Sequence, residues 1–396
     1  MSRYRIRRSS QGVALIVALF AVTILAALVV AFAGVARTDA LLAGNRRAML
    51  QGMHAAQSGV QYCRTVLASD DASADSTAED WAQVQQEPLQ LDIPGFTVTA
   101  QIEDESARLN INTANKDMLM ALPGMTDEAS DSILDWRDAD DDPRPAGAES
   151  DYYLSLPSPY EAANANFETV AQLRLVQGVD KELFEGDGSE TSPGLRNLVT
   201  VRSGERNVDR RGRPRLNINT ASNEQLASIF TSGEIAAIVR QRPYTSLGQA
   251  LAITGVPWSK MAHALDRINV DPRALIEGTV NLNTAGETVL EAIGLPSEVA
   301  QALIERRSDA PLETKGDLAD IAGMNQEVMR AVADRIATKS SIFRVTAWAQ
   351  PEDRPIVTAV FALLDRSANP ARVIVWRQLF GREAEPPAAE EQQSGP

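Results

Sequence analysis

The feature that most constrains this chain is a run of 24 uncharged, mostly aliphatic residues from Val13 to Ala36. Arg3, Arg5, Arg7 and Arg8 precede it and Arg37 closes it. At 1.5 Å per residue such a helix is about 36 Å long, enough to cross the hydrocarbon core of a bilayer. The arginines hold the short leader on the cytoplasmic side, so the body of the chain is exported. A cleaved secretory signal would have a shorter apolar stretch, roughly 7–15 residues ending at a small-residue site. The helical pattern also continues past Arg37, through Leu42, Met49, Met53, Ala56 and Val60, and no proline occurs before Pro88. These spacings of three, four and seven predict one unbroken helix from about Val13 to Leu67, roughly 80 Å long.

A short basic leader, Gly12 and an apolar helix beginning at Val13 resemble the prepilin signal of type IV pilin-like proteins. That resemblance implies cleavage between Gly12 and Val13 by a prepilin peptidase, methylation of the new amino terminus, and retention of the membrane helix as a filament core. Two positions depart from the pattern: Val13 stands where Phe is usual, and Val17 where Glu is usual. A carboxylate in an apolar filament core is costly without a cationic partner. In that family the partner resembles the free amino group of an adjacent subunit. A subunit that caps the end lacks a neighbour on one side and can dispense with the carboxylate. The competing reading is a plain signal-anchor helix in which Gly12 has no role.

Composition removes most enzyme classes. The 396 residues include one cysteine, Cys63, and two histidines, His54 and His263, leaving little for thiolate–zinc or histidine acid/base chemistry. A net charge of −15 and 5% aromatic content disfavour broad nucleic-acid binding. A hydrophobic content of 44% suffices for a real core, and the length suits two to three domains at roughly 150 residues each.

Phe96, Val98, Ala100 and Ile102 alternate with polar residues and predict a half-buried strand. Three further strands are predicted only near the far end, at 343–349, 356–364 and 372–377, separated by turn signals at Pro351/Asp353 and Asn369/Pro370. The expected class is α+β: a long N-terminal transmembrane helix and an antiparallel sheet, interrupted by a large α-helical insertion. The boundaries read as a 1–12 leader, a 13–36 membrane span, and 37–108 as amphipathic helix plus the first part of the α/β domain. The insertion follows at 109–340, the returning strands at 341–381, and a disordered tail at 382–396.

The insertion contains a repeat. Leu109-Asn-Ile-Asn-Thr-Ala recurs from Leu216, and as Val280-Asn-Leu-Asn-Thr-Ala. Helix-spaced apolar residues follow each copy, with Thr113, Thr220 and Thr284 in the expected N-cap position and Glu287 completing a capping box with Thr284. A later helix in each unit runs up to Gly178, Gly255 or Gly323, which suit helix C′ positions. Paired short helices resemble helix-hairpin-helix modules, and that resemblance supplies the alternative function, a membrane-anchored DNA-binding or uptake receptor. The hairpins Leu122-Pro-Gly-Met-Thr-Asp-Glu and Ile293-Gly-Leu-Pro-Ser-Glu lack a second glycine and carry acids where phosphate would need cations. The favoured reading is therefore a packed contact surface with no nucleic-acid partner. Arg202, Arg206, Arg210, Arg211, Arg213 and Arg215 read as a solvated linker between the first two repeats.

The densest carboxylate cluster runs from Trp136 to Tyr153. Asp138, Asp140 and Asp142 alternate, and Glu149 and Asp151 return beyond Pro143, Pro145 and Gly147. Calcium takes six to eight oxygen ligands in flexible geometry, which such a loop can supply. The spacing is not that of an EF-hand, and the competing reading is a solvated charge run. Nearby aromatics and mutual carboxylate repulsion favour the ion.

The prepilin-like leader without the fifth-position Glu, the Asp135-Trp-Arg-Asp-Ala-Asp run, Asp151-Tyr-Tyr-Leu, and the Asn-x-Asn-Thr-Ala repeats inside a split sheet are all found together. Together they resemble the protein K family of minor pseudopilins in type II secretion systems, over nearly the whole chain. The resemblance implies a non-enzymatic, pilin-like domain interrupted by a helical domain and placed at the pseudopilus tip beside minor pseudopilins I and J. It implies single-pass insertion in the inner membrane, with the bulk periplasmic. The insertion would face the outer-membrane channel or exported cargo. It also implies calcium, with Asp138, Asp140, Asp142, Glu149 and Asp151 as the expected ligands.

Overall fold

The computed structural model describes residues 11–379, apart from 72, 85, 86, 88, 90, 190, 191, 354 and 355, together with Ala384. The leader before Gln11 and nearly all of the predicted 382–396 tail lie outside the described residues. One helix, α1 (Gln11–Ser69), runs 59 residues, about 88 Å at the α-helical rise. In its first half every residue from Gly12 to Arg47 is exposed. Its second half lays Ala55, Ala56, Val60, Cys63 and Leu67 on a sheet. The stripe predicted from sequence is correct at Ala56 and Val60 but not at Leu42 and Met49, which remain 61% and 41% exposed. The sheet begins further along the helix than the apolar spacing does.

The sheet has four antiparallel strands in sequence order: β1 (Phe96–Asp104), β2 (Ile342–Pro351), β3 (Thr358–Asp365) and β4 (Arg372–Leu379). β1 pairs with β2 from Phe96↔Pro351 to Asp104↔Phe343, so strands 239 residues apart lie side by side. The period-2 alternation of β1 directs Val98, Ala100 and Ile102 into the core with Phe343, Val345, Ala347, Val360, Ala362 and Leu364. Small residues let α1 approach closely. A Cβ at Gly52 would come 2.7 Å from the Thr358 hydroxyl, and one at Gly59 3.0 Å from Val98 Cγ1.

Everything between the end of β1 and the start of β2 forms a second body with its own core. It is built from three similar units, each opening on the Asn-x-Asn-Thr-Ala motif and closing on a two-residue parallel pairing. Leu109–Asn110 pairs with Val199–Thr200, Leu216–Asn217 with Ile268–Asn269, and Val280–Asn281 with Ile336–Ala337. Between the paired segments run short helices in each unit.

The motif's asparagines explain its recurrence. The first folds the turn: Asn110, Asn217 and Asn281 each accept, at Oδ1, the N–H two residues on, at 3.0, 2.9 and 3.0 Å. The second clamps the middle of its own unit through both ends of its amide. Asn112 exchanges hydrogen bonds with the backbone of Phe167, Asn219 with Tyr244, and Asn283 with Leu312. The threonines do not cap the following helices, contrary to the sequence expectation. Asn115, Ser222 and Gly286 take the N-cap positions, because the turn uses up two more residues before helical dihedrals begin. Thr284 instead donates to Asp104 Oδ2 at 2.6 Å. Asn283 is 1% exposed, so Asn283→Ala strands the buried N–H and C=O of Leu312, at about 1–3 kcal/mol per orphaned group. The expected outcome is a markedly lower urea midpoint for the full chain in detergent micelles; an unchanged midpoint would contradict the clamp.

The arginine-rich stretch is not a loose linker. Arg215 is buried and bidentate on Glu205 at 2.7 and 3.0 Å, and Lys315 joins the same carboxylate at 2.8 Å. Burial pushes the Glu205 carboxyl up, but the two cations override it and hold the group down to about 2. Asp209 ties the hairpin tip by accepting from the backbone of Arg211 and Arg213, both at 2.9 Å. Arg206, Arg210, Arg211 and Arg213 do stay exposed, as does Arg202.

Candidate functional site

The acidic loop lies in the first unit. It leaves α2 (Asp127–Arg137), whose N-cap Thr126 hydroxyl accepts from Ala129 N at 3.1 Å, and it enters α3 (Ser150–Leu154) through Glu149. Trp136 anchors the end of α2 in an aromatic box, edge-on to Tyr153 with centroids 5.2 Å apart and stacked on Phe167 at 6.3 Å. Arg137, the next residue, turns the other way and donates to the carbonyls of Ile111 and Ala114 in the first repeat motif. The packed tryptophan and the tied arginine fix where the loop starts.

Three carboxylates converge: Asp135, Asp138 and Glu149 bring oxygens within 4.8 Å of one another. Asp135 is fully buried and accepts from the Arg144 backbone N–H at 3.1 Å as well as from its guanidinium. The same guanidinium reaches Asp138 Oδ2 at 2.6 Å. Gly147 passes so close that a Cβ there would fall on Asp135 Oδ2, which accounts for glycine at that position. Glu149, 4% exposed, is the N-cap of α3 yet its side chain makes no cap bond, and neither carboxylate oxygen has a partner among the described residues. Asp138 Oδ1 and Asn164 Oδ1 are likewise buried and without partners. Burial raises the Glu149 carboxyl to about 7, and the charges of Asp135, Asp138, Asp141 and Asp140 add to the rise.

Of the five ligands expected from sequence, the structure brings Asp138 and Glu149 together. Asp140 and Asp142 are exposed, with the Asp142 N–H donating to Asp140 Oδ1 at 3.1 Å, and Asp151 is exposed on α3. Sequence reasoning missed Asp135. Asp135 precedes Asp138 by three residues, a spacing that α2 converts into adjacency. Asn164, which had no sequence signal, braces the exposed part of the loop. It adopts φ 43°, and its amide donates to Asp140 O at 3.3 Å and Asp141 Oδ1 at 3.0 Å. The converging donor set is all oxygen, and three of its oxygens, both of Glu149 and Oδ1 of Asp138, are buried with no partner among the described residues. That chemistry fits a hard cation such as calcium, which gathers carboxylate and amide oxygens.

At the other end of the chain, Gly12 sits in the first turn of α1, where a Cβ would meet nothing among the described residues within 4 Å, and Val13 is 65% exposed. The helix carries one stretch long and apolar enough to cross a membrane.

The long apolar helix, the antiparallel sheet packed on its second half and the bulky helical insertion define a membrane-anchored, pilin-like subunit. A family model described as type II secretion system, protein K, matches residues 101–186. Type II secretion system protein K of Pseudomonas aeruginosa is 30% identical over 253 residues, covering 57% of this chain and 69% of that protein. The protein of the same description from Pectobacterium carotovorum subsp. carotovorum is 30% identical over 128 residues, 27% of this chain and 38% of that protein. The crystal structure of the GspK-GspI-GspJ complex from enterotoxigenic Escherichia coli contains a chain of similar fold. Its TM-score is 0.52 at 13% identity, over 85% of this chain and 99% of that one. The chain belongs to the type II secretion system protein K family, the minor pseudopilins of that machine.

Proposed function

We propose that this chain caps the tip of a type II pseudopilus and supports export of folded proteins across the outer membrane. It works there with minor pseudopilins I and J, the counterparts of the two subunits that accompany its structural relative in the GspK-GspI-GspJ complex. One observation carries the reading: the wholly exposed first half of α1 contains no carboxylate between Gly12 and Thr38, and it continues rigidly into a helix half already buried on the sheet. The exposed half suits two successive surroundings, first the inner-membrane lipid and then the apolar core of a filament. The basic leader favours a single pass with the folded bodies in the periplasm. A prepilin peptidase would cut between Gly12 and Val13. The three-unit insertion, standing beside the pilin-like body, would obstruct addition of further subunits and present a face to the outer-membrane channel or to cargo. The acidic loop would hold calcium through Asp138 and Glu149, with Asp135 added; the ion would supply charge neutralisation and no reaction step. Nothing in this role calls for catalysis. Family membership does not favour the DNA-receptor alternative, and acids at the first turn of α2, Asp127 and Glu128, repel phosphate.

The test is restoration of the missing carboxylate. Val17 is 61% exposed in the apolar half of α1, so Val17→Glu leaves the fold of the isolated chain intact. Its carboxylate would lack an amino-group partner at the tip, and burial of an unpaired charge costs several kcal/mol. The expected result is normal accumulation with strongly reduced secretion and poorer recovery with the partner pseudopilins. Undiminished secretion would count against the capping role.

A further inference from the structure

We propose that the open edge of β4 takes up an extended, acid-bearing strand of a partner pseudopilin, which lengthens the four-stranded sheet by β-strand addition. The inference rests on the reading of this chain as an assembling tip subunit and names a surface that such a subunit would use. β4 ends the sheet, and among the described residues no hydrogen bond reaches the backbone along its outer edge. The opposite edge differs: Leu89 N donates to Val98 O of β1 at 2.8 Å, so a segment of the same chain already lies against it. Ala384 packs with Trp348 and Ala359 on the face away from α1, and so leaves the β4 edge uncovered. An open edge is a row of unpaired N–H and C=O groups that folded proteins ordinarily blunt. Here the register slips between Leu363 and Leu364, which leaves Ile374 outside the pairing and 375–379 regular. Strands of about 3–10 residues are usual, so this stretch can carry a short added ladder.

The side chains of β4 define the kind of strand that fits. Its sequence, Arg372-Val-Ile-Val-Trp-Arg-Gln-Leu, holds no acidic residue in a chain of net charge −15. Arg377 is exposed, lies over the Phe361 ring at 5.2 Å and has no acid paired with it among the described residues. Trp376 stands opposite the core residue Ala362, on the face toward α1, yet is 38% exposed. Tryptophan and arginine are the side chains that most often carry interface energy. Two copies of β4 side by side would bring arginines together with no acid on either strand, so a second copy of this chain does not fit. An acidic strand does.

Position favours an assembly partner over any other chain. The edge continues the surface of α1: Arg64 Nε donates to Ala371 O at 2.8 Å, and Gln378 Nε2 reaches Met53 Sδ. A subunit packed along α1 meets β4 without leaving that surface. Arg372 and Ile374 also line a cleft of about 230 Å³ between the sheet and the insertion, with Arg202 on its far side. The cleft's acids, Asp365 and Glu277, pair with Arg372 and Arg273, whereas Arg202 has no ion pair among the described residues. An acidic side chain at the end of the incoming strand would meet Arg202 there.

Hydrogen exchange reads the backbone pairing directly. The full-length chain in detergent micelles is compared alone and co-purified with pseudopilins I and J. The expected result is exchange over 372–379 that is fast in the free chain and slowed several-fold in the complex. Arg377→Glu should cut recovery of the partners several-fold at low salt and remove the added protection, with an unchanged urea midpoint for the chain alone. Arg377→Lys should keep both. Slow exchange at 372–379 in the free chain would mean that the edge is already covered, by the chain's own terminal residues or by a second copy, and overturns the proposal. A complex without added protection there overturns it while the assembling role stands, and an indifferent Arg377→Glu overturns the acidic choice of strand. Failure to recover either partner removes both the inference and the reading beneath it.

Discussion

Glu149→Gln is expected to abolish the calcium binding proposed for the acidic loop, and with it the thermal stabilisation that the ion would supply. Glu149 is nine-tenths buried, its two oxygens have no partner, and it faces Asp135 and Asp138. An ion that binds only the folded state adds RT ln(1 + [L]/Kd), about 2.7 kcal/mol at a hundredfold excess over Kd. The metal-free protein has a distinctive pH response. Burial and neighbouring acids raise the folded-state carboxyl from 4.5 to about 7. Between those values the folded state holds more protons than the unfolded chain, so metal-free stability falls as pH rises through this window. Calcium displaces that proton, so its affinity should tighten from about pH 6 to about pH 8. In Glu149→Gln both the fall with pH and the calcium effect should flatten. Melting curves of the wild-type chain with calcium and with a chelator, at about pH 5 and about pH 8, check all of this. Curves that ignore calcium at both pH values would remove the ion from the site.

Gly12→Leu will leave the leader attached without disturbing the folded protein. Nothing among the described residues lies within 4 Å of a Cβ at Gly12, so their packing does not require glycine there. A requirement for it would have to come from the processing enzyme. With a prepilin peptidase present, the wild-type chain is expected to lose residues 1–12 and carry a methylated Val13, and the variant is expected to stay full length. Both should remain in the membrane fraction, because Val13–Ala36 is unchanged. Intact mass of the membrane-bound product decides the matter. An uncut wild-type chain would return α1 to a plain signal anchor, and complete processing of Gly12→Leu would show that glycine is not what the peptidase reads.

The architecture was legible where a residue pattern has one physical solution. The apolar run from Val13 has no polar face and no turn signal, so it can only be a helix in an apolar medium. The alternation of Phe96 to Ile102 and its reappearance after Phe343 mark one sheet split by an insertion, because neither piece alone can bury its apolar face. The repeats were visible, but their meaning was not. Asn112, Asn219 and Asn283 look like turn residues, yet each clamps backbone 25 to 55 residues away. Arg215 looked like part of a solvated run because its partner Glu205 comes from a hairpin strand, and the Lys315 that shares that carboxylate comes from another repeat unit.

The sequence by itself therefore determined the membrane helix, the α+β class, the split sheet and the location of a dense acidic loop. All of these follow from local periodicity and from charge that must stay out of lipid. Only the tertiary structure decided which carboxylates meet. Asp135 joins Asp138 and Glu149 because α2 ends on a packed tryptophan and Gly147 brings the chain back across it. Asp140, Asp142 and Asp151 keep their water because nothing packs over them. Burial and convergence are properties of distant segments brought together, and they set which oxygens lose hydration and gain a reason to hold a cation.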